Sequence, residues 1–182
     1  MPNHSIAENK RILRKKIRSN RVENAPEKSQ LLTAALYDHL SSRPDFQTIA
    51  LYSAMQGEPD IITLLALLPY RTFVFPRICE EEMHFYVVNS LHDDLEKGRW
   101  DILEPKSTCA MIDSKKIDLF LCPGMGFTKS GQRLGKGRGY YDRYFHHHSH
   151  QAPCYGVTFS EMIFAELPHD QHDVTMQMVF DA

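Results

Sequence analysis

A cluster of glycines and cationic side chains is the part of the sequence best suited to chemistry. Six of the nine glycines lie in the segment 123–145, PGMGFTKSGQRLGKGRGYYDRYF. Glycine lets a ligand approach the backbone closely, and Lys and Arg donate hydrogen bonds to anions. Glycines and cations together predict a polyphosphate site, with the cations exposed until phosphate binds. The cations of the segment are Lys129, Arg133, Lys136, Arg138 and Arg143.

The flanking patterns place this glycine segment at the end of a sheet. Residues 115–122, KKIDLFLC, have the apolar character of a buried strand, and Tyr140, Tyr141 and Tyr144 fall at helical spacing. We therefore predict a loop that runs from the carboxyl end of a strand to a helix N-terminus, where backbone N–H groups favour anions. Asp142 would lie in the first turn of this helix, where its carboxylate could hold Mg²⁺ on the phosphates.

The glycine segment matches neither common phosphate-binding motif. The pair Gly135-Lys136 is followed by Gly137 instead of Ser or Thr, and the segment contains no GxGxxG. Composition alone therefore leaves a flexible basic surface loop open as an alternative to a nucleotide site.

The order of residues in the segment resembles the signature of the 5-formyltetrahydrofolate cyclo-ligase family. The resemblance rests on PGMGF, a following Gly and RLGKGRGYYDRY. It implies a fold similar to the ribose-phosphate isomerase and CoA-transferase group, as one domain over residues 1–182. It also implies ATP- and Mg²⁺-dependent conversion of 5-formyltetrahydrofolate into 5,10-methenyltetrahydrofolate, with release of ADP and phosphate. In that reaction the γ-phosphoryl group passes to the formyl oxygen before N10 closes the ring.

The resemblance also implies roles for individual residues. Catalytic roles fall on Arg133, Lys136 and Arg138. Folate binding falls on Ser53, Met55, Glu58, Trp100 and Tyr140, and metal binding on Asp142 and Asp173. The chain departs from the family after Asp173, because it has Gln177 and ends in FDA where relatives have a second Asp and a terminal Glu. The implied ATP-binding residues are Lys10, Arg11, Ile12, Leu13, Arg14, Arg133, Leu134, Gly135, Lys136, Gly137, Arg138, Gly139, Tyr140 and Tyr141.

Residues 5–21 predict a cationic helix. Ser5 and Glu8 form a capping box, and seven of the twelve residues from 10 to 21 are basic. Lys10 and Arg14 share one face and match a Lys/Arg pair of the family, which implies that the helix folds over the ATP phosphates. A solvated basic face and an RNA-binding surface remain alternative interpretations.

Strand and helix patterns alternate along the rest of the chain, which supports an α/β doubly wound sheet with helices on both faces. Leucine spacing predicts a core helix at 27–41 that buries Leu31, Leu32, Ala35, Leu36 and Leu40. A second, apolar helix is predicted at 60–68, and strands are predicted at 48–53, 71–77, 83–88 and 155–160, the middle two as a hairpin or adjacent sheet edges.

A second group of polar residues should border the crevice. In open α/β sheets, pockets form at the carboxyl ends of strands, which places Ser53, Met55, Gln56 and Glu58 near the glycine segment. Glu58 has two interpretations: a charge at a helix N-terminus, or the folate contact implied by the resemblance. The second interpretation predicts that Glu58 serves the pterin while other residues serve ATP.

Two further features have competing interpretations. Trp100 could stack on a pterin, or cover the core as large aromatic side chains commonly do. The tract HHHSH at 146–150 invites a metal site, but consecutive histidines point in different directions, so we predict a solvated helix terminus.

Composition limits the remaining classes. A net charge of −2 and a pI near 6.5 argue against a surface built to hold nucleic acid or an anionic membrane. The four cysteines form no CxxC pair, so we expect neither a zinc site nor disulfides. We see no apolar run of membrane-spanning length and no secretory signal. We expect a soluble cytoplasmic protein, a monomer or weak homodimer, whose partners are the folate and MgATP.

Two other functions remain open at this point. One is a phosphosugar isomerase or CoA transferase of the same fold group, neither of which needs ATP. The other is an RNA-binding module that uses residues 10–21 together with 133–143.

Overall fold

In the described part of the chain, a six-stranded sheet forms the centre of the fold. The structure is a computed structural model that describes residues 5–98, 102–148 and 152–182. The strands are β1 Thr48–Ala50, β2 Thr72–Cys79, β3 Glu82–Val88, β4 Leu95–Lys97, β5 Leu103–Pro105, β6 Leu119–Cys122, β7 Gly126–Phe127, β8 Arg133–Leu134, β9 Cys154–Thr158 and β10 Met178–Asp181. The central sheet has the order β10-β9-β6-β1-β2-β3. All of its pairs are parallel except β2–β3, which form the predicted hairpin.

Helices follow the strands, as the alternating pattern predicts. They are α1 Ile6–Ile17, α2 Ala25–Ser41, α3 Leu64–Leu67 and α4 Tyr140–His148. The predicted helix start at Ser5 is confirmed, because Ser5 Oγ accepts a hydrogen bond from the Glu8 N–H at 3.2 Å, which is one of the two bonds of a capping box. None of the described helices combines the length and the hydropathy needed to cross a bilayer.

Side-chain alternation along the strands creates one core on each face of the sheet. Ile49 and Leu51 face one core, which also contains Leu32, Leu36 and Leu40 of α2. Between them, Ala50 faces the other core, which also contains Tyr144 and Phe145 of α4. The same alternation recurs in β2, β6 and β9. The predicted α/β sheet with helices on both faces is therefore confirmed.

Two predicted helices differ in detail from the observed ones. The predicted burial of Leu31 in α2 is wrong, since Leu31 is 63% exposed and Ala35 is also exposed. The face of α2 that packs on the sheet instead carries Leu32, Leu36 and Leu40, which are spaced at the helical period. The predicted helix at 60–68 is reduced to α3, since Leu68 precedes Pro69 and leaves the helical region at φ −122° and ψ 62°.

The glycine segment is an ordered hairpin followed by a helix, rather than the predicted simple loop. Strands β7 and β8 pair antiparallel, and α4 begins directly after Gly139. Gly137 and Gly139 have positive φ of 100° and 67°, which lets the chain reverse between β8 and α4. At the hairpin turn, Gly131 accepts a hydrogen bond from the Met176 N–H at 2.8 Å, so the carboxyl-terminal segment packs directly on the hairpin.

Two glycines with positive φ give a matched test of this packing. Gly57, at φ +85°, has open space where a Cβ would lie, whereas a Cβ on Gly131, at φ +94°, would lie 2.0 Å from the Met176 carbonyl oxygen. We expect Gly57→Ala to lower the free energy of unfolding by about 1 to 2 kcal/mol, through backbone strain alone. Gly131→Ala should lower it by more than about 3 kcal/mol, since a clash adds to the strain. Urea denaturation measures both, and equal losses would contradict the close approach.

Candidate functional site

A cavity of about 370 Å³ opens at the carboxyl ends of β1 and β6. The chain runs from β1 to β2 on one side and later returns to place β6 on the other side, so these two strands flank a switch point of the sheet. Strands β2 and β3 extend past the end of β1 and supply an apolar wall. The lining residues are Arg18, Tyr52, Ser53, Met55, Glu58, Pro76, Ile78, Met83, Ile102, Leu103, Glu104, Pro123, Gly124, Arg133, Gly135, Lys136, Arg138, Gly139, Tyr140, Tyr141 and Asp142.

The predicted phosphate and folate groups therefore meet in one crevice. Lys136 and Arg138 of the glycine segment line the same cavity as Ser53, Met55 and Glu58, as the argument from strand ends predicts. The predicted roles of these residues stay predictions, because no ligand accompanies them. Trp100, the remaining predicted folate contact, lies outside the described residues, although Ile102 to Glu104 close to it in sequence line the cavity.

Arg133 is buried, so the expectation that the cations of the segment are exposed is wrong at this position. The residue is 7% exposed. Its guanidinium donates to the Pro123 carbonyl oxygen at 3.0 Å and to Asp142 Oδ1 at 3.2 Å, and it lies 5.2 Å from the centre of the Tyr141 ring. Burial opposes its charge, but Asp142 raises the pKa of Arg133 overall. Arg133 thereby ties the end of β6 to the first turn of α4.

Lys136 and Glu58 form an ion pair across the cavity. Lys136 Nζ lies 3.1 Å from Glu58 Oε1, and Glu58 Oε2 accepts from the Met55 N–H at 2.9 Å. Burial raises the pKa of the Glu58 carboxyl, and Lys136 offsets part of that shift. The interpretation of Glu58 as a charge at a helix N-terminus is wrong, because α3 begins six residues later at Leu64. The prediction that separate residues serve the pterin and the phosphates is also too simple, since Glu58 of the predicted folate site pairs with Lys136 of the predicted phosphate site.

Three polar atoms at the cavity are buried without a hydrogen-bond partner. They are Ser53 Oγ, Arg133 Nε and the Tyr141 hydroxyl. A buried polar group without a partner costs about 1 to 3 kcal/mol, so protein sites that retain several are commonly completed by a ligand or water. Burial also raises the pKa of Tyr141, so its hydroxyl stays a neutral donor. These atoms are available to hydrogen-bond a polar ligand in the crevice.

Helix α1 lies over the glycine segment and is held there by ion pairs with the carboxyl-terminal part of the chain. Lys10 Nζ lies 2.7 Å from Asp170 Oδ2 and 2.5 Å from Asp173 Oδ2. Burial opposes the charge of Lys10, but the two carboxylates raise its pKa overall. Lys10 is predicted to contact ATP and Asp173 to bind metal, but in the structure the two side chains form an ion pair with each other.

The remaining residues of α1 divide into two faces. Arg14 Nε donates to the Gly135 carbonyl oxygen at 2.7 Å, so Arg14 supports the backbone of the glycine segment. Arg11 and Ile12, both predicted to bind ATP, lie on the exposed face, where Arg11 pairs with Glu8. Arg18 also lines the cavity, although it is not among the predicted site residues. The signal for Arg18 was available, because positions 10, 14 and 18 repeat every four residues along one helix face.

The two predicted metal ligands occupy different environments. Asp142 lines the cavity, and its Oδ1 is engaged by Arg133 and by the Val174 N–H at 3.4 Å. Among the residues that the structure describes, its Oδ2 has no hydrogen-bond partner. Asp173 Oδ2 is engaged by Lys10 and by the Asp170 N–H at 2.8 Å. No group of three or more His, Cys, Asp or Glu side chains suited to a metal occurs within those same residues.

A second cavity of about 330 Å³ adjoins the first. The two share five residues, which are Arg18, Met55, Glu58, Gly124 and Lys136. Gln56, predicted to border the crevice, lines this second cavity, together with apolar side chains that include Met125 and Met162. The crevice therefore consists of two compartments with a common wall.

The fold and the crevice define a mostly parallel α/β protein whose ligand site, lined by Lys and Arg side chains, lies at the carboxyl ends of its strands. The chain belongs to the 5-formyltetrahydrofolate cyclo-ligase family, whose model matches residues 6–181.

Individual relatives agree with this assignment. The NMR structure of Aquifex aeolicus 5,10-methenyltetrahydrofolate synthetase is 30% identical with a TM-score of 0.77, over 94% of this chain and 89% of that one. A 5,10-methenyltetrahydrofolate synthetase from Mycoplasma pneumoniae has a TM-score of 0.74 over 97% and 98% of the two chains, and at 23% identity it supports the fold alone. The mouse 5-formyltetrahydrofolate cyclo-ligase is 34% identical over 92 residues, which cover 47% of this chain and 45% of the mouse protein. The match to this curated relative therefore spans less than half of its length.

The buried carboxyl of Glu58 should make stability depend on pH. Because the pKa of Glu58 is raised above 4.5 in the folded protein, the unfolded chain releases this proton first. Stability of the wild-type protein should therefore fall as the pH rises from 4.5 toward the pKa of the folded state. Gln does not ionise. We expect the Tm of Glu58→Gln to rise relative to that of the wild-type protein as the pH increases from 4.5 through the pKa of folded Glu58.

Thermal unfolding across this pH range measures the effect. Glu166→Gln, at an exposed position, is the matched control and should leave the pH dependence unchanged. If the wild-type protein instead becomes more stable than Glu58→Gln as the pH rises, the ion pair with Lys136 outweighs the cost of burial.

Proposed function

We propose that this protein converts 5-formyltetrahydrofolate into 5,10-methenyltetrahydrofolate in an ATP- and Mg²⁺-dependent reaction that releases ADP and phosphate. The observation that carries the proposal is the meeting of Lys136 and Arg138 with Ser53 and Glu58 in one crevice. Family membership supports the same reaction. The combined size of the two compartments, about 370 Å³ and about 330 Å³, suits two substrates held side by side.

The phosphate end of the crevice would activate the formyl group. A formyl oxygen is a poor leaving group until it accepts the γ-phosphoryl group of ATP. The bond from the γ-phosphorus to the ADP oxygen breaks as the new bond to the formyl oxygen forms. N10 then attacks the formyl carbon and loses its proton to solvent, and the oxygen departs as phosphate. Lys136 and Arg138 would neutralise charge on the γ-phosphate oxygens, together with backbone N–H groups at the start of α4. Arg133 would position these groups by holding Asp142 and the end of β6.

Asp142 is the residue that fits a magnesium ion. Its Oδ2 is available at the cavity, and a carboxylate oxygen together with ATP phosphates is a common ligand set for Mg²⁺. The bound ion would supply positive charge to the phosphate oxygens during transfer. Asp173 fits less well, because it is not among the residues that line the cavity and its Oδ2 is held by Lys10.

The other end of the crevice would hold the folate. Ser53 Oγ and the Tyr141 hydroxyl lack partners and can hydrogen-bond the polar edge of a pterin. Glu58 would accept hydrogen bonds from pterin N–H groups, while Met55 and Tyr140 supply contact surface. The apolar wall from Pro76, Ile78 and Met83 would exclude water from the reacting atoms.

The proposal includes the setting of the reaction. We propose a cytoplasmic monomer or weak homodimer whose partners are the folate and MgATP, with no nucleic-acid or membrane partner. A net charge of −2 and the pairing of several site cations with carboxylates support this view. Size-exclusion chromatography measures the oligomeric state, and salt-dependent RNA binding would argue against the proposal.

The direct test follows methenyl-folate absorbance on mixing the protein with 5-formyltetrahydrofolate and MgATP. Absorbance should rise only when all components are present, with one ADP released per methenyl product. Omission of ATP, Mg²⁺ or folate should abolish the signal. Product formation without ATP, or no product at all, would overturn the proposal.

Arg138 should contribute to turnover and little to stability. It is exposed and lines the cavity, so Arg138→Met removes charge from the phosphate site. We expect kcat to fall about 10²- to 10³-fold with the Tm nearly unchanged. Lys129→Met is the matched control, because Lys129 belongs to the same hairpin but pairs with Asp181. A similar loss of kcat in both variants would indicate a general effect of charge.

Asp142 and Asp173 should respond differently to removal of charge. Asp142→Asn should raise the Mg²⁺ concentration needed for half-maximal activity about tenfold or more, because an amide is a weaker ligand for a hard cation. Asp173→Asn should instead lower the Tm by weakening the contact with Lys10, and leave the Mg²⁺ titration close to that of the wild-type protein. A raised Mg²⁺ requirement in Asp173→Asn would return that residue to the metal site.

A further inference from the structure

The ion pair of Glu58 and Lys136 forms part of the wall between the two compartments of the crevice. Both residues line the cavity of about 370 Å³ and also the cavity of about 330 Å³. Lys136 Nζ and Glu58 Oε1 are 3.1 Å apart. A ligand in either compartment therefore meets one half of the same contact.

The two partners differ in their freedom to leave the pair. The Lys136 side chain is 31% exposed and can turn toward a phosphate, whereas the Glu58 side chain is 4% exposed. Glu58 Oε2 keeps the Met55 N–H, but Oε1 depends on Lys136. A phosphate that takes the ammonium leaves a buried carboxylate oxygen without a cation, which is strongly unfavourable. Another donor must replace it.

We propose that Glu58 and Lys136 couple nucleotide binding to folate binding by exchanging partners. The inference rests on the proposed function. In the ligand-free protein the two side chains hold each other. With both ligands present, Lys136 binds an ATP phosphate and Glu58 Oε1 accepts a hydrogen bond from a pterin N–H. Whichever ligand binds first bears the cost of separating the pair, so each ligand raises the affinity for the other by the same factor.

The exchange makes a specific prediction for Glu58→Gln. Without the carboxylate, Lys136 is released for phosphate before any ligand arrives. The nucleotide alone should therefore bind more tightly to the variant than to the wild-type protein, while the folate binds more weakly. Independent subsites predict no change in nucleotide affinity, and a merely structural role for Glu58 predicts weaker binding of both ligands.

Isothermal titration calorimetry can measure the coupling directly. The affinity of the Mg²⁺ complex of adenylyl imidodiphosphate is measured alone and with saturating 5-formyltetrahydrofolate, and then the reverse titration is made. We expect a coupling factor of about 10 in the wild-type protein, equivalent to about 1.4 kcal/mol. In Glu58→Gln the factor should approach 1, and the nucleotide alone should bind about fivefold more tightly.

Two further variants control the measurement. Lys136→Met removes the other half of the pair, so the coupling factor should again approach 1, but with weaker nucleotide binding. Arg18→Met removes a cation that lines the same two compartments and forms no ion pair with Glu58 among the described residues. This variant should keep the wild-type coupling factor, whatever its effect on either affinity alone.

The outcomes separate the inference from the proposed function. A wild-type protein that turns over substrate but has a coupling factor of 1 overturns the exchange and leaves the function intact. Weaker nucleotide binding to Glu58→Gln, or loss of coupling in Arg18→Met, also overturns the exchange. A wild-type protein that binds neither ligand overturns both.

Discussion

A buried guanidinium is the constraint on which the rest of the site depends. Arg133 loses its water only because Pro123 and Asp142 supply acceptors and the Tyr141 ring covers its face. To bring Asp142 back to Arg133, the chain must reverse within a few residues, which explains why Gly137 and Gly139 have positive φ. These glycines are therefore needed for the fixed backbone conformation of the turn more than for flexibility.

The positive charge of the site is largely matched by carboxylates. Lys10 pairs with two aspartates, Arg133 with Asp142, and Lys136 with Glu58. In the proposed function, a phosphate would have to compete with these carboxylates for Lys10, Arg133 and Lys136. Such an arrangement limits nonspecific attraction of polyanions, since anions without the right shape do not repay the cost of separating the pairs.

The sequence patterns predict the elements of the fold better than their contacts. Alternation and helical spacing locate β2, β3, β6, β9 and α4, and the position of Ser53 and Glu58 after a strand predicts that they lie near the glycine segment. Periodicity does not decide which apolar face is buried, which explains the error at Leu31. The pairing of Lys10 with Asp173 joins residues 163 positions apart, and the turn of the hairpin within the glycine segment is bonded to the distant Met176. Local sequence contains neither contact.

The ion pairs between α1 and the carboxyl-terminal segment have a consequence for synthesis of the protein on the ribosome. Helix α1 is synthesised before the sheet, whereas its partners Asp170 and Asp173 lie 160 and 163 positions beyond Lys10. The sheet from β1 to β6 can assemble before these partners are made, whereas the ion pairs of Lys10 form only after Asp170 and Asp173 have emerged. A nascent chain would therefore fix α1 over the glycine segment in a late step, after most of its core has formed.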